Sequence, residues 1–576
     1  IRPELFGPMI IAGSPLSYWA GLKGINPMRY TGGLLGGSWL TAFTSDMGAG
    51  KFDGAWLVQN FEGLNPANTL WSKQYNLYSK IDTEASRYLE FERWWGGHVN
   101  LNADEIQMIV DELFIGNKLA AGDVKLSDGT AIDLRNICSP IVVFCSKGDN
   151  ITPPQQALGW ILDLYKDVDE IRSYGQTIVY TVHETVGHLG IFVSGGVAKK
   201  EHSEFSSNID LIEMLPPGLY EAKFERKSES TVNADLLAGE WIMRCEQRTL
   251  DDIRELGGHE PDDERMFATV AQISEANLAL YRTFLQPLVK AAITPAFAEW
   301  MSKMHPLRVQ YEMLSDDLNP FAKMLAQIAE KVRSDRRQVS PDNPFLKAQE
   351  AASEQIVNAM ESFGNIRDSF MEHLFLSIYG SPALQAAAGV DPKSSQPQRA
   401  APKSALHREL IQDRIAEIKS RIRKGGLQEC AIRGLIYVGL ARGRVDERGV
   451  NALRQIRLSD GMPRLSLSEF KAMAREQFFM LLLDTEATLE AIPALLPADA
   501  ALRQNAFDSI KKVLEASGEL TGDAVERLNR VKEIFGLGEA GARPALRGES
   551  LKLVPKPEAP GDERTPVAVP KKEGQA

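Results

Sequence analysis

Cysteine is scarce in this chain, with four residues (Cys138, Cys145, Cys245 and Cys430) among 576. No CxxC occurs, so a disulfide framework is excluded and a reducing compartment, the cytoplasm, is expected. Basic excess is missing as well. The formal net charge of -12 argues against general nucleic-acid binding, because surfaces that track phosphates carry a surplus of Lys and Arg. No apolar run approaches the roughly 18 residues of a membrane-spanning helix, and the first residues do not form a signal peptide. No G-x-S-x-G or G-x-C-x-G elbow occurs; "AGSPL", "FTSDMG" and "FVSGG" fail the pattern, and Pro15 offers no N–H to an oxyanion. "GGLLGGSWL" lacks the GK[ST] of a phosphate loop and reads as a flexible lid segment. "HETVGH" spaces His183 and His188 five apart, whereas the zinc-protease helix spaces its histidines four apart. No metal and no cofactor are expected.

What is present is organised around Pro140 to Glu204. "PIVVFCSKGDNITPP" contains an unbroken apolar run, Ile141 to Cys145, of the kind expected for a strand buried on both faces. Asp149 follows in the loop at its carboxyl end. Apolar spacing from Pro153 to about Lys166 predicts a helix, with Thr152 as N-cap and Pro153 at the first helical position. Thr177 to Val182 predicts another strand, and His188 follows it in a Gly-flanked loop. Strand, acidic loop, helix, strand and histidine loop is the order in which an α/β-hydrolase presents the acid and the base of its triad. Thr152 caps the helix in this reading, which leaves Asp149 free to orient an imidazole that takes a proton from a nucleophile. His183, at the strand end itself, is the poorer candidate.

The rest of the chain is read around that unit. "PMIIAG" predicts a further parallel strand, and the long Gly- and Trp-rich stretch after it, about 16–135, a lid inserted above the sheet edge. Within the lid, Asp104 to Leu113 predicts a helix and the Asp128-Gly129 turn a small hairpin. An edge strand is expected near Leu219 to Phe224. The expected fold class is α/β: an α/β-hydrolase-type, mostly parallel sheet, incomplete, followed by two all-α helical domains. The expected domains are 1–225 (the carboxyl-terminal part of the hydrolase domain), 226–384 (helical), 385–405 (a Pro/Ser/Gln linker), 406–537 (a helical bundle) and 538–576 (a disordered tail). The chain starts at Ile1 and enters "GPMIIAG" almost at once, so it is read as a fragment of a longer protein.

At these residues the chain resembles the polyhydroxyalkanoate synthases and bacterial proteins similar to them, over roughly residues 7–205. The synthases carry a strand-loop Asp followed by Ile and Pro, here "GDNITPP", and a Gly-His segment, here "GHLGIF", followed by a basic stretch similar to "KKEH". Their lid segments are similar to "NFEGLNPANTLW" and "WWGGHVNL". Asn150 stands where synthases often have His, and the long helical regions after Glu204 are not part of the usual synthase catalytic domain. The resemblance implies that Asp149 is the triad acid and His188 the general base. It implies a nucleophile, a cysteine in true synthases, a few tens of residues before Ile1, so the chain as given is expected to be inactive. The implied substrate is a hydroxyacyl-coenzyme A thioester, with an ester as the alternative if the enzyme is an esterase or depolymerase. A polymer granule surface and a second copy of the chain are the other expected partners. A non-catalytic granule-associated or scaffolding protein remains the alternative of another class.

Overall fold

The computed structural model describes residues 6–315, 317–393, 405–458 and 466–538. The expected tail and most of the expected linker lie outside the described residues, although Pro382–Ala387, at the start of that linker, is helical. Eight strands are present among the described residues. They are β1 (Met9–Ala12), β2 (Lys51–Asp53), β3 (Asn100–Asn102), β4 (Ile141–Ser146), β5 (Thr177–His183), β6 (Gly218–Arg226), β7 (Trp241–Gln247) and β8 (Arg444–Asp446). Six form one sheet in the order β1-β4-β5-β6-β7-β8, and β2 pairs with β3 as a separate antiparallel ribbon. Within the sheet, β1, β4, β5 and β6 run parallel, while β6–β7 and β7–β8 are antiparallel. The protein is therefore mixed α/β with a mostly parallel sheet.

All six residues of β4 are buried, because helices cover both faces of the sheet. Side chains alternate between the faces. Ile141, Val143 and Cys145 pack with Leu158, Trp160 and Ile161 on one side, while Val142 and Phe144 pack with Ile191, Phe205 and Ile212 on the other. Each such side chain stabilises the fold by about 1.5–3 kcal/mol relative to exposure. That two-sided burial is what produces an unbroken apolar run in the sequence.

Three expectations need correction. Trp241–Gln247, expected as helix, is a strand, because all seven of its residues pair antiparallel with β6 and bury Ile242, Met243 and Cys245. Arg444–Asp446, expected inside a helical bundle, is the edge strand of the same sheet. The regions 226–384 and 406–537 are therefore not all-α, since each supplies a strand to the sheet. The glycines of "GGLLGGSWL" serve close packing: a Cβ on Gly33 would lie 2.7 Å from the Phe375 ring and 2.9 Å from Val270. The expected lid and the later helices accordingly share one core, in which Trp19, Tyr30 and Ile115 meet Phe267, Phe375 and Tyr379.

The described residues form two compact units, one through residue 408 together with 443–458, the other comprising 409–442 and 466–538. In the second, the helix Leu427–Arg442 packs against Leu467–Leu483, Ala500–Glu515 and Asp523–Ile534 around Cys430, Val438, Ile510 and Val531. Arg433 is fully buried there, and its guanidinium donates to Gln477 Oε1 and to the Thr488 carbonyl. No helix among the described residues is long and apolar enough to cross a membrane.

Candidate functional site

β4 and β5 are neighbouring parallel strands, so the loops that follow them emerge side by side at the same sheet edge, where open α/β sheets place their sites. Two devices hold the loops together. Ser146 Oγ donates to the Val186 carbonyl at 2.5 Å and accepts from Gly148 N–H at 3.1 Å. Gly148 lies so close to the second loop that a Cβ would stand 2.3 Å from the Thr185 carbonyl oxygen.

This juxtaposition brings Asp149 and His188 into contact, with Asp149 Oδ2 lying 2.8 Å from His188 Nδ1. Asp149 is completely buried, while 20% of the His188 side chain remains open to solvent. The other carboxylate oxygen, Oδ1, accepts from the N–H groups of Ile151 and Thr152, each at 2.8 Å. The expectation that Asp149 has no capping duty is therefore corrected: one oxygen shapes its own loop and the other meets the imidazole. The helix opening differs too. Pro153 is the N-cap of Pro154–Leu158 and makes no side-chain cap, and a second short helix, Trp160–Leu164, follows.

Gly13, at the carboxyl end of β1, adopts φ +55° and lies against the ring; a Cβ there would stand 3.3 Å from His188 Cε1. Phe192 meets the imidazole edge-to-face at 6.0 Å between centroids. Among the described residues, His188 Nε2 has no hydrogen-bond partner. A buried carboxylate on Nδ1 and an open Nε2 make an imidazole suited to accept and return a proton. His183 is held differently: its Nδ1 accepts from Thr185 and Val186 N–H at 3.2 and 3.1 Å, and its Nε2 lies 3.9 Å from Glu201.

Neither Cys145, at the carboxyl end of β4, nor Cys138, before its amino end, is placed or poised as a nucleophile. Cys145 is buried, and burial followed by the Asp149 charge pushes its thiol pKa well up. Cys138 precedes the amino end of β4, roughly 20 Å back along that strand at about 3.3 Å per residue. Beside the His188 loop, an open cleft of about 1100 Å³ is lined by Thr185, Val186, Ser194, Lys199, Lys200 and Arg226, among others.

A second titratable cluster joins segments far apart in sequence. His259 Nε2 lies 2.8 Å from Asp163 Oδ1 and 3.5 Å from Glu264 Oε1, and Ser17 Oγ donates to Asp163 Oδ2 at 2.8 Å. One ligand atom from each of Asp163, His259 and Glu264 falls within 4.8 Å of the others, so these residues could hold a metal ion. Their mutual ion pairs and the Ser17 hydroxyl already engage the Asp163 oxygens and His259 Nε2, and they tie Trp160–Leu164 to the start of Pro261–Leu280. Sequence reasoning did not find this cluster, because no local spacing links residues 96 apart.

A mostly parallel α/β sheet carrying a carboxylate–imidazole pair at the carboxyl ends of adjacent strands defines the class of site. The chain belongs to the DUF3141 family, described as a protein of unknown function, whose model matches residues 1–422. It is 61% identical over 542 residues to an "Uncharacterized protein in ackA 5'region" of Rhizobium meliloti, covering 94% of this chain and 74% of that protein. It is also similar, at 21% identity over 136 residues, to the poly(3-hydroxyalkanoate) polymerase subunit PhaC of Haloarcula marismortui, a match spanning 23% of this chain and 26% of that subunit. No solved structure matches the chain.

Proposed function

We propose that Asp149 and His188 are the acid and the general base of an acyl-transfer site of the α/β-hydrolase type that acts on hydroxyacyl-coenzyme A thioesters. The observation that carries this reading is the 2.8 Å contact between a buried carboxylate and a partly exposed imidazole, delivered by two adjacent parallel strands. The similarity to a protein named as a poly(3-hydroxyalkanoate) polymerase subunit supports the substrate class. The neighbouring cleft is lined by Lys199, Lys200 and Arg226 and equally by Glu201, Glu204 and Glu240, with Lys200 paired to Glu201 and Arg226 to Glu240, so it carries no net charge for coenzyme A phosphates and the substrate class rests on the similarity.

In this reading the nucleophile comes from a segment that precedes Ile1 in the complete protein. His188 Nε2 takes the proton of the nucleophile, which attacks the thioester carbonyl. The tetrahedral intermediate collapses, the carbon–sulfur bond to coenzyme A breaks, and the leaving thiolate takes the proton from His188. A hydroxyl group then attacks the acyl-enzyme while its proton passes to Nε2, and the nucleophile leaves with that proton as the new ester forms. Throughout, Asp149 fixes the tautomer with Nδ1–H pointing at the carboxylate and stabilises the transient imidazolium.

The test is release of coenzyme A from 3-hydroxybutyryl-coenzyme A by the complete protein and by its His188→Ala variant. The expected result is release with polymer accumulating, slowed about 10³-fold or more by the substitution. An unchanged rate in His188→Ala would refute the assignment. Release without polymer would mean that water is the acyl acceptor.

A further inference from the structure

The helix Pro320–Ser334 carries Phe321, Met324, Leu325, Ile328 and Val332. At about 100° per residue these five side chains share an arc roughly 100° wide, the pattern of a helix that buries one face. In this protein the arc faces water: Phe321 is 65% exposed, Leu325 58% and Val332 56%. No side chain of the helix is buried, and only Ala322 and Ala329 are even partly covered. The helix is nonetheless well encoded locally. Pro320 occupies the first turn, and Asn319 Oδ1 accepts from Phe321 N–H at 3.0 Å. The apolar surface continues on either side in the chain, with Leu314 74% and Phe345 83% exposed.

The charge around this arc points to its occupant. From Pro320 to Arg337 the chain has five basic residues (Lys323, Lys331, Arg333, Arg336, Arg337) and two acidic ones (Glu330, Asp335), a local charge of +3 in a chain of -12. Arg336 pairs with Asp82 and Arg337 with Asp335 at the surface, where such pairs contribute little. Lys331 and Arg333 fall on opposite flanks of the apolar arc. A second copy docking through the same face would bring this basic segment against itself, since a two-fold interface is self-complementary. An anionic sheet of headgroups neutralises the whole segment at once.

We propose that Pro320–Ser334 is an interfacial helix that lays its apolar arc into an anionic lipid surface. Lys331 and Arg333 extend along the boundary so that their charges reach the headgroups while their stems stay in apolar surroundings. Attachment of this kind is peripheral, reversible and weakened by salt.

The experiment is co-sedimentation of the whole chain with phosphatidylcholine vesicles, alone or mixed with phosphatidylglycerol, at low and high salt. Three proteins are compared: the unaltered chain, Leu325→Asp/Ile328→Asp, and Lys331→Glu/Arg333→Glu. All four positions are exposed, and circular dichroism checks that the fold is kept. The expected result is binding to the mixed vesicles that high salt reduces. The Asp pair should lower the bound fraction at least tenfold, and the Glu pair should remove the preference for the anionic lipid. Equal binding to both vesicle types, or undiminished binding by the Asp pair, would overturn the proposal. So would a dimer that the Asp pair dissociates in the absence of any vesicle binding, which would make a second copy the occupant.

Discussion

Asp149 holds the His188 ring with one carboxylate oxygen and its own loop with the other, at 2.8 Å in every contact, so replacing it disturbs two things that different substitutions separate. Asp149→Asn keeps a side-chain oxygen for Ile151 and Thr152 N–H but removes the charge. It is expected to leave stability within about 1 kcal/mol and to slow acyl transfer by the complete protein about 10³- to 10⁴-fold. Asp149→Ala also leaves the loop N–H groups without their acceptor, and is expected to cost a further 1–3 kcal/mol or so in urea unfolding. A rate that survives Asp149→Asn would leave the residue only its loop duty. Gly13→Ala is a subtler probe. It places a Cβ 3.3 Å from His188 Cε1 at a backbone φ of +55°. A loss of about 1–2 kcal/mol is expected from the left-handed backbone, with a fall in kcat beyond that loss as the ring is pushed off Asp149. At this scale the pairing was legible, because both residues follow apolar runs that read as strands, and neighbouring parallel strands deliver their loops to one edge. The double duty of Asp149 was not, because it depends on where two backbone N–H groups point.

At the scale of elements, the antiparallel edge of the sheet carries a buried acid. Glu447, at the start of the helix Glu447–Leu458, is 5% exposed and accepts from Met243 N–H of β7 at 3.0 Å. Burial, and after it the neighbouring charge of Asp446, raise its pKa to about 7. The folded state thus holds this proton more tightly than the unfolded chain, whose glutamates titrate near 4.3. The stabilisation is complete below about pH 4.3 and is lost as pH rises toward 7. Glu447→Gln keeps an acceptor for Met243 and carries no charge. It is expected to match the unaltered protein at pH 4 and to be the more stable above pH 7, by at most about 4 kcal/mol in denaturant titrations. Glu204, also raised by burial, slopes in the same direction and remains in the variant. Equal pH slopes for the two proteins would remove Glu447 from the account. β4 and β5 were readable as elements because burial on both faces leaves an apolar run. β7 was not, because "WIMRCEQ" has no clean alternation and contains good helix formers. Only its seven-residue pairing with β6 decides its conformation.

Over the whole molecule, the two compact units do not follow one another along the chain. Residues 443–458 return to the first unit from within the second, whereas the sequence reads as consecutive segments with all of 406–537 in one helical bundle. Composition records where the chain is polar and proline-rich, not where a distant three-residue strand pairs. The returning segment adds β8 to β7 and places Val445 and Val450 against Met243 and Cys245. Arg448 donates to the Val232 carbonyl at 2.9 Å and Asn451 to that of Leu236 at 2.8 Å. A chain ending at residue 408 therefore loses a strand pairing, the buried Val450 and half-buried Val445, and several hydrogen bonds of about 1 kcal/mol each. Its first unit is expected to melt several degrees lower by calorimetry. A peptide of residues 443–459 added in excess should raise the midpoint again, because it binds only the folded form. A midpoint that the cut leaves unchanged would mean that the returning segment adds nothing to the first unit's stability. A lowered midpoint restored by the peptide would establish that the sheet is completed across the intervening helices.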